Sequence, residues 1–215
     1  GVFDATATGS CVVWRAGLFK GTWTAAQILA EGGIPTTTTT AASNPTSGKY
    51  WWSFDGSNDS LLSGNLGITN ACTIVIAGRV NSLGATAVFL GEAANGLQIY
   101  VAGNGAAYAE QTSVGTLVNS APAAIVVGVP FVLTMRLSSG TAVLRKNGVQ
   151  IATAATAYTL SATTGARLGM NFAATLYPVN GAIGWVVPIA AGLSDADCLT
   201  VERLVSSQFP NGPVF

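Results

Sequence analysis

The stretch from Phe131 to Ala152 constrains the fold more than any other part of the chain. Large apolar and mostly polar side chains alternate through residues 131–137, which is the period of a strand with one buried face. Turn residues interrupt the pattern at 138–140, and a second strand runs over 141–146. The pair Asn147-Gly148 follows, which is typical of a two-residue type I′ turn because both positions need positive φ. Residues 149–152 return as a third strand, so this stretch predicts an antiparallel sheet.

The two-residue turn also fixes the register of its hairpin. Counting outward from Asn147-Gly148, we expect Leu144 to face Ile151. Arg145 then faces Gln150 on the opposite side of the sheet.

Other stretches show the same strand character. The longest apolar run, 121–135, contains two prolines and is shorter than the about 18 residues of a membrane helix, so we interpret it as two strands around a turn. Tyr50, Trp52 and Phe54 share one face of a strand and are predicted core residues. The further predicted strands are Leu61-Leu62, Cys72–Val80, Ala87–Leu90, Leu97–Ala102, Ala107–Gln111, Ile125–Gly128, Arg167–Met170 and Gly181–Val187.

A helix is predicted from about Ser194 to Gln208. Ser194 is the N-cap, and Asp197 three residues later completes a capping box in its Asp form. The apolar stripe that should face the sandwich is formed by Cys198, Val201, Leu204 and Val205.

Composition narrows the class of protein. We expect 1–215 to form one all-β domain, with an irregular N-terminal segment (1–49), a sandwich core (50–193) and a C-terminal helix (194–209). Charged residues are 8% of the chain, nine basic residues balance nine acidic ones, and histidine is absent. The missing basic excess argues against nucleic acid as a partner. A surface with so little charge favours association with other proteins, although an extracellular domain rich in hydroxyl groups has the same composition.

The three cysteines, Cys11, Cys72 and Cys198, are too few and too far apart for a zinc site or a disulfide framework. We interpret them as buried free thiols. The N-terminal residues lack the order of a signal peptide, and no membrane partner is expected.

Several short motifs resemble, in order, those of concanavalin A-like, laminin-G-like jelly-roll domains, which occur in phage virion and bacterial surface proteins. These motifs are Asp4-Ala5-Thr6, Trp14, Asn44-Pro45-Thr46, Phe54-Asp55-Gly56-Ser57-Asn58-Asp59, Leu144–Val149, Arg167-Leu168-Gly169, Asn180–Ile183 and Gly192–Asp197. The resemblance implies a two-sheet antiparallel jelly-roll sandwich. Trp185 stands where this family often has Glu, which argues against a metal or polar role for that strand.

The resemblance includes glycoside hydrolases, but the residues argue against an enzyme. Hydrolases of this fold place paired acids at alternate strand positions, whereas Glu31, Glu92 and Glu110 are isolated. Without histidine, a Ser-His-Asp or Cys-His site is excluded.

Asp55, Asn58 and Asp59 form the most acidic loop outside the helix start. Related domains bind Ca²⁺ through such oxygens, but the same residues form a turn by bonding their own backbone. We favour the turn and expect no cofactor.

An exposed aromatic plane is the usual element of a sugar-binding site. Trp51 is the first candidate, because its neighbours Tyr50 and Trp52 point to the other face; the alternative is that the N-terminal segment covers it. Tyr100, Tyr108 and Tyr177 are further candidates near loops.

Two functions fit these observations. The first is a non-enzymatic structural module of a phage virion, a capsid decoration, fibre or tail component, which contacts other virion proteins or copies of itself as a homo-oligomer. Trp51 and the loop Pro35–Thr46 are its expected contact surfaces. The alternative is a carbohydrate-binding, lectin-like module on a virion or on an extracellular or cell surface.

Overall fold

The computed structural model describes residues 51–93, 96–160, 165–173, 176–209 and 211–215. In this part of the chain, twelve strands form two six-stranded antiparallel sheets. The strands are β1 Trp52–Asp55, β2 Leu61–Ser63, β3 Cys72–Val80, β4 Ala87–Glu92, β5 Leu97–Val101, β6 Ala107–Gln111, β7 Gly115–Asn119, β8 Phe131–Ser138, β9 Thr141–Lys146, β10 Val149–Ala155, β11 Ala166–Leu168 and β12 Asn180–Ile189.

The two sheets confirm the predicted antiparallel sandwich. Sheet A has the order β1-β12-β3-β8-β9-β10, and sheet B has the order β2-β11-β4-β5-β6-β7. The alternation in β3 and β8 turns Ile74, Ile76 and Leu133 into the core between the sheets. Phe89 of sheet B meets Phe131 of sheet A edge-to-face, with ring centroids 5.4 Å apart. The core therefore uses one face of each sheet and leaves two outer faces.

The central hairpin has the predicted turn but only part of the predicted register. Asn147 and Gly148 have φ values of 49° and 83°, as the turn type requires. Arg145 pairs with Gln150 as expected. The predicted pairing of Leu144 with Ile151 is wrong, because the register shifts between Gln150 and Ala152 and Leu144 pairs with Ala152. A β-bulge inserts Ile151 as an extra residue without removing it from the core.

Replacing Gly148 with valine should lower the free energy of unfolding by about 2 to 3 kcal/mol, because a branched side chain resists positive φ and meets a crowded site. A Cβ atom there would lie 2.8 Å from the Phe215 ring and 3.1 Å from a Leu199 methyl group. Gly67→Val is the matched control, since Gly67 also has positive φ (66°) but has no atom within 4 Å of that position. Equal losses in urea unfolding of both variants would contradict the role of crowding.

One predicted strand is wrong, and one observed strand was not predicted. Residues 125–128 form turns rather than a strand, so the 121–135 run does not contain two strands. Ile125 is buried and its amide donates to the Gly105 carbonyl, whereas Val126 and Val127 are about half exposed. This chain segment crosses one end of the sandwich, where Gly128 donates to Val80. The strand β7 was not predicted: its sequence, GTLVN, has two adjacent apolar residues and no alternation.

The predicted helix is confirmed as α1, Asp195–Gln208. The Ser194 hydroxyl accepts a hydrogen bond from the Asp197 amide and donates one to the Asp197 carboxylate, at 2.6 Å. Cys198 and Val205 are buried as predicted, but Leu204 is 44% exposed. Glu202, which the predicted stripe does not include, is on the buried face of the helix and has no exposed surface.

The helix packs across the outer face of sheet A, on β3, β8 and β12. A second apolar cluster fills this layer and includes Val75, Val132, Trp185 and Phe209. Trp185, the departure from the family pattern, is therefore a packing residue between sheet and helix. Since α1 covers this face of sheet A, the outer face of sheet B is the sheet surface that no helix of the described chain covers.

A buried ion pair ties the helix to the central hairpin. Arg145 Nε donates to Glu202 Oε1 at 2.8 Å, and Arg145 Nη2 donates to the Gly148 carbonyl at 2.8 Å. Burial by itself would lower the pKa of Arg145, but the hydrogen bond and charge of Glu202 raise it above its usual value. Asp195, the first residue of α1, forms a second ion pair with Arg136, at 2.7 Å.

Cys72 and Cys198 are buried and unpaired, which confirms the free-thiol interpretation for these two residues. Burial raises the pKa of the Cys72 thiol to about 12, so it stays protonated at neutral pH. Cys11, Tyr50 and the loop Pro35–Thr46 lie outside the described residues, and the single domain over 1–215 stays a prediction. Within the described ranges, no helix is long and apolar enough to cross a membrane.

A candidate ligand-binding face on sheet B

Two of the four aromatic candidates meet on the outer face of sheet B. In β5 the side chains of Leu97, Ile99 and Val101 enter the core, so Gln98 and Tyr100 point outward. The register pairs Tyr100 with Tyr108 of β6. Alternating burial along a pair of antiparallel strands thus brings together two tyrosines that are eight positions apart in the sequence.

Polar side chains surround this aromatic pair. Gln98 lies opposite Glu110 on the neighbouring strand β6, and the register of β7 places Thr116 opposite Glu110 and Asn119 opposite Tyr108. We call this surface the tyrosine face and define it by Gln98, Tyr100, Tyr108, Glu110, Thr116 and Asn119.

The two tyrosine rings stack face to face. Their centroids are 4.8 Å apart and their planes differ by 4°. That separation is close to the spacing of neighbouring strands, about 4.8 Å, as expected for two rings at directly opposed cross-strand positions. Each ring therefore shows one face to its partner, and its other face looks across the sheet toward the next strand.

One flank of the pair is closed and the other is open. On the Tyr100 side the cross-strand neighbour is Val88, which is fully buried although it belongs to neither core cluster. On the Tyr108 side the neighbouring strand carries Thr116 and Asn119, both of which are exposed. The ring face of Tyr108 that looks toward β7 is therefore the accessible aromatic plane.

A hydrogen bond fixes the carboxylate of the tyrosine face. The Tyr100 hydroxyl donates to Glu110 Oε2 at 3.0 Å, which is the only hydrogen bond to the Glu110 side chain among the described residues. Burial, followed by the bond to Glu110 and its charge, raises the pKa of Tyr100 well above its usual value. A bond with Thr116 acts in the opposite direction. Tyr100 therefore stays a protonated donor and holds Glu110 beside the open flank.

A loop closes the β4 side of the tyrosine face. A Cβ atom at Gly91 would lie 2.9 Å from the Phe172 amide nitrogen, so the chain after β11 passes directly over β4 at this point. Arg167 holds the loop, because its Nε donates to the Phe172 carbonyl at 2.9 Å and its Nη1 donates to Ser60 Oγ at 2.7 Å. The loop and its arginine thus form a rim beside the face rather than part of its floor.

No protein-family model matches the chain, and comparison with curated sequences gives no match. Solved structures do match. The CBM40 of Ruminococcus gnavus IT-sialidase bound to α2,3-sialyllactose has a TM-score of 0.58 and 18% identity, covering 71% of this chain and 98% of that one. The heptameric SAP-like pentraxin of Limulus polyphemus has a TM-score of 0.58 and 13% identity, covering 75% of this chain and 83% of its own. The fold is a concanavalin A-like jelly roll.

A third similar structure is the binding domain of botulinum neurotoxin DC in complex with SialylT, with a TM-score of 0.52 and 15% identity. It covers 68% of this chain and 39% of that one. At these identities the likeness concerns the jelly-roll fold.

The other two aromatic candidates lie apart from the tyrosine face of the jelly roll. Trp51 is 44% exposed and lies directly before the edge strand β1. Because the next residue, Trp52, packs against the core together with Phe54, Trp51 points away from the core. It therefore belongs to the outer side of sheet A. Tyr177 is 45% exposed, and its carbonyl accepts from the Val88 amide at 3.0 Å, on the side of Val88 remote from Tyr100. Tyr177 thus marks the edge beyond the closed flank.

The acidic loop of the jelly roll has the geometry of a turn. Asp55 Oδ1 accepts from the Ser57 amide at 2.7 Å, and Asp59 Oδ2 accepts from the Asp55 amide at 2.9 Å. Asn58 lies between them and is exposed. In the described ranges no three His, Cys, Asp or Glu side chains are grouped so as to hold a metal ion. Calcium at this loop stays the alternative that we do not favour.

An open cleft of about 650 Å³ lies at one end of the jelly roll, between the turns at 112–114 and 139–140 and the segment 156–159. Two of its polar side chains bind the backbone of the segment 159–160. Gln111 Nε2 donates to the Thr159 carbonyl and Gln111 Oε1 accepts from the Thr159 amide, while Asn70 Oδ1 accepts from the Leu160 amide. Gln111 and Asn70 thus hold the segment 159–160 in place at this end of the sandwich.

Proposed function

We propose that this jelly roll is a non-enzymatic carbohydrate-binding module and that it binds a glycan through the tyrosine face. The observation that carries the proposal is the parallel stack of Tyr100 and Tyr108 beside Glu110, on a sheet face that no helix of the described chain covers.

The chemistry of the face suits a sugar. A pyranose ring offers an apolar C–H face and a rim of hydroxyl groups, which match an aromatic plane bordered by amide and carboxylate oxygens. Glu110 accepts hydrogen bonds from sugar hydroxyls, while Asn119 both donates and accepts. A hydroxyl-rich ligand therefore finds stacking and hydrogen bonding in one place.

Structural neighbours support this reading over the virion hypothesis. The sialidase CBM40 and the botulinum binding domain are both described with a bound sialylated ligand, and none of the three compared structures is a virion protein. A carbohydrate-binding module of this kind acts in an extracellular or cell-surface setting. Contacts of Trp51 with virion partners rest on composition and resemblance alone.

The carboxylates support binding without hydrolysis. Glycoside hydrolases need two carboxyl groups, about 5 to 5.5 Å apart in retaining enzymes and about 6.5 to 9.5 Å apart in inverting ones. Glu110 is the single carboxylate among the six residues that define the tyrosine face. The chain also lacks histidine as a general acid or base.

A glycan array tests the proposal. The purified protein should bind a subset of immobilised glycans and release no reducing ends from them. Trp51→Ser is the aromatic control, since Trp51 is an exposed aromatic residue beside β1 of the other sheet. It should keep the same binding pattern. Binding to no glycan, or a pattern lost with Trp51→Ser, would contradict the assignment to the tyrosine face.

A further inference from the structure

We propose that the tyrosine face selects an uncharged sugar and excludes an acidic one, with Glu110 as the specificity-determining residue. This inference rests on the proposed function and goes beyond it by naming the class of glycan. It separates this protein from its structural neighbours, because two of them are described with sialylated ligands.

The charge of the face has one sign. Glu110 is the only Asp, Glu, Lys, Arg or His among its defining residues. Its carboxylate stands beside the open flank, where the Tyr100 hydroxyl holds it at 3.0 Å. A sugar hydroxyl can donate to this carboxylate, whereas a sugar carboxylate has no proton to donate at neutral pH and is repelled by it.

The nearest basic side chain on the same sheet surface is already engaged. The register runs from Arg167 to Gly91, then to Gln98 and Glu110, so three strand spacings, about 14 Å, separate Arg167 from Glu110. The loop over Gly91 lies between them. The Arg167 guanidinium donates to Phe172 and Ser60 and holds that loop.

The other described basic residues lie on sheet A or its helix. Arg136 and Arg145 pair with the acids of α1, and Arg203 donates to the Phe215 carbonyl. Lys146 donates to the Ala124 carbonyl, and Arg79 lies in β3 of sheet A. Recognition of an acidic sugar usually requires an arginine fork or an ammonium group at the ligand. The described part of the chain provides neither at the tyrosine face.

The test is an array of matched oligosaccharides, each with and without a terminal sialic acid, probed with the wild-type protein and with Glu110→Gln. Glutamine keeps the size of the side chain and an acceptor for the Tyr100 hydroxyl, so the variant should stay folded, which its melting curve checks. We expect the wild type to bind neutral members at least about tenfold more tightly than their sialylated partners. Glu110→Gln should reduce that ratio to about threefold or less, and so should raising the salt concentration.

The failures of the two proposals are distinguishable. Equal or tighter binding of sialylated glycans by the wild type, lost with Tyr108→Ala, would overturn the inference while leaving the carbohydrate-binding function in place. A discrimination ratio that Glu110→Gln does not change would overturn the role of Glu110. Binding of neither kind of glycan would overturn the proposed function and the inference together.

Discussion

Replacing Glu202 with glutamine is expected to lower the free energy of unfolding by about 3 kcal/mol or more. Glu202 is fully buried and Arg145 is 5% exposed, so the substitution leaves a guanidinium charge in the layer between α1 and sheet A. The exposed Asp195, 3.4 Å from Arg145 Nη1, compensates only in part. Urea unfolding, monitored by tryptophan fluorescence, measures the change in the free energy of unfolding, and because urea is uncharged it does not screen the ion pair.

The double variant Arg145→Met, Glu202→Leu is the matched control. It removes both charges and keeps most of the buried volume, so its stability should return to near the wild-type value. Loss in the single variant with recovery in the double variant assigns the effect to the uncompensated charge. A loss below about 0.5 kcal/mol in Glu202→Gln would show that the ion pair does not hold the helix on the sheet.

Replacing Tyr108 with alanine is expected to weaken glycan binding about 30-fold or more, which corresponds to about 2 kcal/mol of binding free energy. The reason is that the accessible ring plane belongs to Tyr108, whereas Tyr100 is flanked by its partner on one side and by the buried Val88 position on the other. Isothermal titration calorimetry with the strongest glycan from the array measures the change.

Tyr177→Ala is the control for that variant. Tyr177 is 45% exposed and lies beyond the closed flank, so its removal should change affinity by less than about twofold. Because Tyr108 points out of the sheet and is only partly buried, Tyr108→Ala should remain folded at the temperature of the titration. A similar loss of affinity in both variants would place the sugar elsewhere on the jelly roll.

Period-two alternation carried most of the fold prediction. The strands β3 and β8 were predicted from it, because their side chains divide into two sets at alternate positions. The prediction from the apolar run 121–135 was wrong at 125–128, where the backbone bonds to Gly105 and Val80 instead of pairing as a strand. The register counted outward from the Asn147-Gly148 turn was wrong at Ile151, since a bulge depends on packing in three dimensions and leaves no local sequence signal.

Two of the six residues that define the tyrosine face were predicted from the sequence. Tyr100 and Tyr108 were identified singly, but Gln98, Glu110, Thr116 and Asn119 were not, because their grouping depends on the register of three strands. The alternation within β5 and β6 was the available signal, since it puts Gln98 with Tyr100 and Tyr108 with Glu110 on outward faces. The burial of Glu202 was not predicted for another reason. A glutamate is normally a surface residue, and its burial is explained only by the ion pair with Arg145, which the sequence does not reveal.

The central claim is that a glycan sits on the open side of the Tyr108 ring, and amide chemical-shift mapping tests it most directly. Isotope-labelled protein is titrated with the strongest glycan from the array. We predict that the largest shifts fall on Tyr108, Glu110, Thr116 and Asn119, and that amides near Trp51 and the 139–140 turn stay unchanged. Shifts confined to Trp51 or to the end cleft, with the tyrosine face unperturbed, would contradict the claim.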